Sequence, residues 1–432
     1  MTFSIVTLGC KVNQYETQAM EQLLTAWGHT EAQAETACDA YIVNTCTVTA
    51  VSDKKSRNLI RRLRRQNPAA VVAVCGCYAQ VDPEAVEALE ADVVAGTGGR
   101  IEFLRQVERA VRERTRWCGV DDALHRHTFE VLPAGGMAER TRAMLKVQDG
   151  CSNFCTYCII PYARGPVRSL ELETAVAQAR DCAQAGYREL VVTGIEISSW
   201  GRDLPGKPPL SDLVAALCAA VPQCRIRLGS LEPRTVTEAF CQTLSGFENL
   251  CPQFHLSLQS GSDTVLRRMH RRYDTARYLE SVRLLTQYFP GCAVTTDLIV
   301  AFPGETEGEF AESLAFLRTC GLAKVHVFPY SRRAGTPAAK MPGQWGNAVK
   351  EERSARAQAV ARELEEAYAR AMVGKTYPVL FEEMQGEWAV GHAPNYVQVR
   401  VAGELPRNAV IPVRITGLLG EAVTGVPAAD TP

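Results

Sequence analysis

The first hundred residues alternate between short apolar runs and amphipathic segments. Between the runs, apolar positions recur with helical spacing, most clearly at 13–27 and 54–67. Strand–helix alternation of this kind predicts a parallel sheet covered by helices. The candidate strands of this sheet are 3–8, 40–44, 71–75 and 92–96.

The same alternation restarts near residue 142 and repeats six times. A helical stretch of ten or more residues follows each of the first five apolar runs. Six parallel strand–helix units predict a barrel or partial barrel, with its chemistry at the C-terminal ends of the strands. The candidate strands are 143–148, 189–194, 225–230, 254–259, 293–300 and 324–330.

The C-terminal quarter has a different pattern. A long charged helix is predicted at 348–373, and period-two apolar runs separated by turn residues follow it. Such runs predict a small antiparallel β-barrel.

Composition and charge narrow the class of protein. The chain is 46% hydrophobic, has a net charge of −1 and lacks a run of the roughly 18 apolar residues that a membrane helix needs. Its start has no export signal, so we expect a cytoplasmic protein with no membrane contact. A nucleic-acid partner would require local basic patches, for which 54–65 and 267–273 are candidates. A charge run is more often a solvated helix face, so both interpretations stay open.

Sixteen cysteines are unusual for a chain in a reducing compartment, where disulfides are rare. Cys151, Cys155 and Cys158 form a C-x-x-x-C-x-x-C motif directly after the first strand of the barrel. Three such thiolates can hold three irons of a 4Fe–4S cluster and leave the fourth open to the amino and carboxylate groups of S-adenosylmethionine (SAM). Structural zinc is the alternative, but it usually needs four ligands, and no second pair lies nearby in the sequence.

A second set of cysteines follows three strands of the first sheet. Cys10, Cys46 and Cys77 each lie just past the carboxyl end of a different strand, where parallel sheets bind ligands. They are either a second cluster site or buried thiols. Cys75 should point to the opposite side of its strand, into the core, and the other nine cysteines, Cys38, Cys118 and Cys182 among them, are interpreted as buried hydrophobes.

Several motifs resemble those of the methylthiotransferase family of radical SAM enzymes, and the resemblance covers essentially the whole chain. Its N-terminal cysteine motifs are similar to TLGCKVNQYET (7–17), NTCTVT (44–49) and GCYAQ (76–80). Its radical SAM motif resembles QDGCSNFCTYCIIPYARGPVRS at 148–169, and the terminal barrel resembles a TRAM domain, which is associated with RNA binding.

The pattern and the resemblance together predict an α/β chain of three domains. They are a Rossmann-like parallel-sheet domain at 1–115 that carries an auxiliary cluster, a partial (βα)6 radical SAM barrel at 137–370 and a small antiparallel β-barrel (TRAM) at 371–432. Residues 116–136 are predicted to link the first two domains.

The resemblance also implies a mechanism and its cofactors. The cluster of Cys151, Cys155 and Cys158 would cleave SAM to a 5′-deoxyadenosyl radical, which removes hydrogen from adenine carbon 2. A second 4Fe–4S cluster on Cys10, Cys46 and Cys77 would hold the sulfur that a second SAM methylates. An electron donor such as flavodoxin or ferredoxin and a sulfur donor are implied as partners. Chemistry carried by the clusters leaves no acid–base residue to name.

The substrate implied is the adenosine at position 37 in the tRNA anticodon loop. CKVNQYET and NTCTVT resemble the branch of the family that acts on threonylcarbamoyladenosine. Alternative substrates within the family are isopentenyladenosine in tRNA and an aspartate of a ribosomal protein. An electron-transfer iron–sulfur protein or a zinc-stabilised RNA-binding protein would not need the polar strand ends of a SAM pocket.

Strand ends and loops supply the remaining candidate residues. The candidates for binding SAM are Tyr157, Arg164, Gly194, Glu196, Glu232 and Gln259. The candidates for binding RNA are Lys54, Arg57, Arg61, Arg168, Arg267, Arg271, Lys375, Tyr396 and Arg400.

Overall fold

The computed structural model describes residues 1–33, 36–135 and 141–428. The N-terminal part is a six-stranded parallel sheet in the order β2-β1-β3-β4-β5-β6. Its elements are β1 (Thr2–Thr7), α1 (Lys11–Ala26), β2 (Thr30–Glu31), β3 (Ala40–Thr45), α2 (Ala50–Gln66), β4 (Val71–Gly76), α3 (Cys77–Val81), α4 (Pro83–Glu87), β5 (Val93–Ala95), α5 (Arg100–Glu113) and β6 (Trp117–Gly119).

The four predicted strands and both predicted helices of this sheet are confirmed. Helices α1 and α5 cover one side with residues such as Met20 and Phe103, and α2 to α4 cover the other with residues such as Ile60. Two short strands were not predicted. One of them, β6, pairs with β5 although it lies inside the predicted linker 116–136, so the sheet extends past residue 115. The boundary predicted at 136–137 lies outside the described residues.

The next part contains the six predicted strand–helix units. Two parallel sheets, β11-β10-β7 and β12-β13-β14-β15, meet at Gly229, between the consecutive strands β11 and β12. The elements are β7 (Arg142–Lys146), β8 (Gln148–Asp149), α6 (Ile160–Arg164), β9 (Arg168–Ser169), α7 (Leu172–Gln184), β10 (Glu189–Thr193), α8 (Leu210–Ala220), β11 (Arg225–Leu228), β12 (Ser230–Leu231), α9 (Glu238–Leu244), β13 (Gln253–Leu256), α10 (Asp263–Arg268), α11 (Thr275–Tyr288), β14 (Ala293–Val300), α12 (Glu307–Cys320), β15 (Lys324–Pro329) and α13 (Asn347–Arg370).

Alternation along these strands separates an apolar outer side from a polar interior. Leu190 and Val192 of β10 belong to the same core as Ala175 and Ala179 of α7. The alternate position Glu189 points the other way, since successive side chains of a strand lie on opposite sides of the sheet. One expectation is wrong here, because α9 has seven residues rather than ten or more.

A closed five-stranded barrel follows α13, in the order β16-β17-β18-β20-β19. Its strands are β16 (Thr376–Gln385), β17 (Trp388–His392), β18 (Gln398–Ala402), β19 (Val410–Leu419) and β20 (Ala422–Pro427). The pairs are antiparallel except for β18 with β20, which run parallel. Among the helices of the described ranges, none is both long and apolar enough to cross a bilayer.

Candidate active site

The three N-terminal cysteines lie together at the carboxyl edge of their sheet. Cys10 precedes α1, Cys46 follows β3 and Cys77 opens α3. A Cβ on Gly9, whose φ is +117°, would lie 2.7 Å from the Cβ of Cys46, so only glycine fits beside it. Gly76 has the same role before Cys77, since its added Cβ would lie 2.5 Å from the carbonyl oxygen of Thr45. Close packing therefore explains the two Gly-Cys pairs of the motifs.

Asn13 and Arg164 join this edge to the barrel domain. The Asn13 amide donates to the carbonyls of Leu8 (2.8 Å) and Thr45 (3.0 Å), which fixes two of the three cysteine loops. The fully buried guanidinium of Arg164 donates to Asn13 Oδ1 at 2.8 Å, to the carboxylate of Glu16 and, through Nε, to Cys77 Sγ at 3.4 Å. Arg164 thus contacts the N-terminal cysteine site, although the sequence predicted that it binds SAM.

The buried ion cluster around Glu16 was not predicted from the sequence. Its carboxylate also accepts from Arg100 at 2.8 Å and from Lys146 at 3.0 Å. Burial would raise the pKa of Glu16, but the three cations outweigh it and hold the pKa well below its ordinary value. The signal was available, because Asn13 and Glu16 follow Cys10 at three-residue steps, which places them on one side of a helix.

The second cysteine motif forms a loop between β8 and α6, held from two directions. The backbone N–H of Thr156 donates to the carbonyl of Met269 at 3.1 Å, and its own carbonyl accepts from Ala338 N–H at 2.8 Å. At the start of the loop, Cys151 N–H donates to the carbonyl of Gly165 at 2.9 Å. These bonds fix the loop backbone on both sides of Cys155.

Burial dominates the acid–base behaviour of these thiols. It raises the pKa of Cys77, Cys151 and Cys158 to about 12 each. The charge of Arg164 acts in the opposite direction on Cys77, and that of Arg271 on Cys151 and Cys158. The thiols are therefore protonated at neutral pH, and binding iron would release their protons.

Arg271 lies beside the barrel's cysteine loop. Its Nη1 donates to Cys155 Sγ at 3.1 Å, and its Nε donates to the Tyr273 hydroxyl at 2.9 Å. The RNA contact predicted for Arg271 does not fit this placement, because two of its nitrogens already donate to Cys155 and Tyr273. The sequence showed a basic run but not the direction of each side chain.

Among the predicted SAM ligands, Glu196 has the most informative environment. Its Oε1 is buried with no hydrogen-bond partner among the described residues, while Oε2 accepts from the Ser199 hydroxyl. Burial raises the pKa of Glu196, and its charge acts on the Cys151 thiol nearby. An unpartnered carboxylate oxygen beside the cysteine loop fits the ammonium group of an amino acid.

The other predicted SAM ligands have structural partners. Both oxygens of Glu232 accept from Arg234, at 2.8 and 3.0 Å. A Cβ on Gly194 would lie 2.8 Å from the carbonyl oxygen of Gln148, so packing requires this glycine. The ring of Tyr157 packs edge-on against Phe302 at 6.4 Å. Gln259 is half-buried and has a positive φ of +69°, which places local backbone strain just past the end of β13.

The residues predicted to contact RNA differ in how exposed they are to solvent. Lys54, Arg61, Arg267 and Lys375 are exposed. Arg57 lies at 3.4 Å from the Tyr78 hydroxyl, and Arg400 Nε is buried without a hydrogen-bond partner in the described chain. Arg168 is only 4% exposed and donates to the carbonyls of Arg164 and Pro166, so the contact predicted there does not fit.

Tyr396 belongs to a contact between the terminal barrel and the βα domain. Its ring stacks on His392 at 4.8 Å, and the guanidinium groups of Arg227 and Arg142 lie 4.5 and 5.1 Å from its centre. Tyr396 is nevertheless 39% exposed, so part of the ring is accessible.

The donor sets of both cysteine sites fit iron–sulfur clusters. In each site the three thiols lie close enough for two of them to influence the pKa of the third. Each of three such thiolates could bind a different iron of a cubane. A guanidinium at one sulfur of each site would offset the negative charge of a cluster with three thiolates.

Comparisons with known proteins agree with this architecture. Residues 2–96 match the model of an uncharacterized protein family, UPF0004, and residues 145–317 match the radical SAM superfamily. A radical S-adenosylmethionine methyltransferase, TsrM, from Kitasatospora setae shares the fold with a TM-score of 0.56 at 17% identity, over 78% of this chain and 76% of that one. The fold and the cysteine loop thus define a radical SAM protein.

Two curated relatives specify the family. The threonylcarbamoyladenosine tRNA methylthiotransferase MtaB of Bacillus subtilis is 40% identical over 93% of this chain and 90% of its own. The tRNA-2-methylthio-N(6)-dimethylallyladenosine synthase of Symbiobacterium thermophilum is 33% identical over 95% of this chain and 91% of its own. The chain belongs to the radical SAM methylthiotransferase family, whose cofactors are 4Fe–4S clusters and SAM.

Proposed function

We propose that the protein converts N6-threonylcarbamoyladenosine at position 37 of tRNA to its 2-methylthio derivative, in the cytoplasm. The observation that carries the proposal is the connection between the two cysteine sites. Helix α6 begins two residues after Cys158 and ends at Arg164, whose guanidinium reaches Cys77. A helix of this length rises about 7 Å, so the chain between Cys158 and the Arg164 side chain that contacts Cys77 is short. This short connection supports a single reaction centre that uses both sites.

Six cysteines would hold the two clusters, with Cys151, Cys155 and Cys158 on one and Cys10, Cys46 and Cys77 on the other. When bound, the clusters and two SAM molecules supply radical formation and the methylthio group. Glu196 would accept from the SAM ammonium, and Gln259 and Gly194 would shape the neighbouring strand ends. A reductant such as flavodoxin or ferredoxin and a sulfur donor complete the proposal.

Lys11 favours a substrate that carries a carboxylate. It follows Cys10 directly, and its side chain is accessible to solvent. Burial of its ammonium group against the barrel domain, together with the charges of Arg227 and Arg142, lowers its pKa. A threonylcarbamoyl carboxylate could pair with its ammonium group, whereas an isopentenyl group could not. The B. subtilis relative, the more similar of the two, also bears the name of the threonylcarbamoyl enzyme.

Nucleoside analysis of tRNA tests the substrate. A deletion strain should lack 2-methylthio-threonylcarbamoyladenosine by mass spectrometry, and the wild-type gene should restore it. Loss of the isopentenyl derivative instead would assign the chain to the activity named for the S. thermophilum relative. Unchanged tRNA would point to a protein substrate. Lys11→Met should lower the product yield while SAM cleavage continues.

Iron content tests the ligand assignment. The anaerobically reconstituted chain should bind about eight irons, and replacing either set of three cysteines by Ala should halve that number. Cys75→Ala is the matched control, because Cys75 is fully buried in the core between the sheet and helices α1 and α5 and should not affect iron binding. Saturation of the wild-type protein near four irons would contradict the assignment.

A further inference from the structure

In the hydrogen bond between Arg164 and Cys77, only the guanidinium can be the donor. A guanidinium carries donors and no acceptor, so the Cys77 sulfur must accept the bond that Arg164 Nε donates at 3.4 Å. As a cluster ligand Cys77 would have released its proton, and its thiolate sulfur would accept this bond more strongly than the thiol does.

The other bonds of Arg164 fix the guanidinium in place. Its remaining nitrogens donate to Asn13 and to Glu16, and the side chain is fully buried. Its position therefore cannot change without breaking a buried ion cluster, a change that is strongly unfavourable. Since Arg164 ends the short helix that follows Cys158, the same bonds also fix the barrel's cysteine loop relative to Cys77.

Arg100 provides an internal comparison. It is also fully buried and also donates to Glu16, at 2.8 Å. The thiol on which its charge acts is that of Cys75, which lies in the core. The two arginines therefore share one carboxylate, but Arg164 also donates to a cysteine sulfur, whereas Arg100 donates to the carbonyl of Gly96.

We propose that Arg164 is a positioning residue that raises the reduction potential of the N-terminal cluster by donating to Cys77 and ties that cluster to the radical SAM loop. This inference rests on the proposed function, in which Cys77 is a cluster ligand. Reduction adds one electron and one negative charge to the cluster, so a hydrogen bond and a positive charge at a ligand sulfur stabilise the reduced form.

The test uses the full chain with Cys151, Cys155 and Cys158 replaced by Ala, which isolates the N-terminal cluster. Dithionite supplies the electron, and electron paramagnetic resonance follows the reduced cluster during a redox titration. Arg164→Gln should shift the midpoint potential to more negative values, and Arg164→Lys should shift it less because it keeps the charge. Arg100→Gln, the matched control, should leave the midpoint close to that of the parent.

Equal shifts in Arg164→Gln and Arg100→Gln would overturn the proposal, because they would show a general effect of the Glu16 cluster. If Arg164→Gln does not fold, as judged by circular dichroism, Arg164→Lys and Arg100→Lys give the same comparison. Iron binding by the parent tests the proposed function separately from the role of Arg164. If the parent binds no iron, or keeps its iron after Cys77→Ala, then the assignment of Cys77 is wrong.

Discussion

At the scale of single residues, buried charge is concentrated where the two largest domains meet. Glu16 and Asp149 share Lys146 and Arg164 as partners, and all four side chains are buried. Burial would raise the pKa of Asp149, but Lys146, Arg164 and Arg168 lower it to about 2. Both carboxylates are therefore ionised at neutral pH, and together they compensate cations that could not otherwise be buried.

Glu16→Gln should destabilise the protein strongly, because it leaves three buried cations without their shared carboxylate. We expect a loss of about 3–5 kcal/mol in the free energy of unfolding, measured by chemical denaturation at pH 7. Since the pKa of Glu16 is lowered in the folded state, its contribution is present above the ordinary carboxyl pKa and is lost as pH falls through the lowered value. The difference between variant and wild type should therefore shrink in acid, whereas the exposed control Glu102→Gln should change little at any pH.

Glu196→Gln should weaken SAM binding without changing iron content. A charge-assisted hydrogen bond contributes about 1.5–3 kcal/mol, so the Kd should rise roughly 10- to 150-fold in equilibrium binding under anaerobic conditions. Glu232→Gln is the matched control, because both Glu232 oxygens already accept from Arg234. An equal or larger effect in the control would mean that Glu232 binds SAM instead.

At the scale of secondary structure elements, α2 presents most of its cations to solvent. Lys54 and Arg61 are exposed and lie two turns apart on the same side of the helix, whereas Arg64 is paired with Asp92. The apolar side of α2, with Ile60 and Leu63, packs on the sheet. The free side of α2 is therefore available to a phosphate backbone.

Replacing Lys54 and Arg61 by Ala should weaken tRNA binding most at low salt. Each lost phosphate contact lowers the slope of log K against log salt by about 0.7–0.9, so the double variant should lose roughly 1.5 from that slope. Arg105→Ala with Arg112→Ala removes two exposed cations from α5, on the opposite side of the sheet. Equal losses in both double variants would indicate general attraction rather than contact at α2.

Long periodic elements could be predicted from the sequence because their patterns repeat over many residues. Strand β14, predicted at 293–300, has those bounds in the structure. Strand β6, with three residues, is too short to show a period, and its pairing with β5 depends on tertiary contacts. The ion-pair partners of individual cations could not be predicted either. Arg268, for example, pairs with Glu309, which lies 41 residues away in the sequence.

At the scale of the whole molecule, the barrel domain reaches the N-terminal cysteine edge at two separate points. At the first point, Arg164 donates hydrogen bonds to Cys77 and Asn13. At the other point, Arg333, in the loop after β15, donates to Asp53 at 2.7 Å and to the hydroxyl of Thr47, the residue after Cys46. The positions of two N-terminal cysteines therefore depend on contacts made by the other domain.

Arg333→Gln should lower formation of the methylthio product without lowering cleavage of SAM. The side chain is only 8% exposed and lies outside the barrel's cysteine loop, so iron content and SAM cleavage should be retained. Within the described residues, the segment after Cys46 would keep only the bond from Ala50 N–H to the Ser331 hydroxyl. A displacement of about 1 Å between reacting groups can cost roughly a hundredfold in rate. We therefore expect normal 5′-deoxyadenosine formation with about a hundredfold less methylthio product, both quantified by mass spectrometry.

Arg332→Gln is the control, because the neighbouring Arg332 donates to the carbonyl of Ala339 within its own domain. A parallel fall in SAM cleavage would show that Arg333 acts on the barrel itself. An equal loss of methylthio product in Arg332→Gln would show that the loop as a whole, rather than its contact with Thr47 and Asp53, determines the rate.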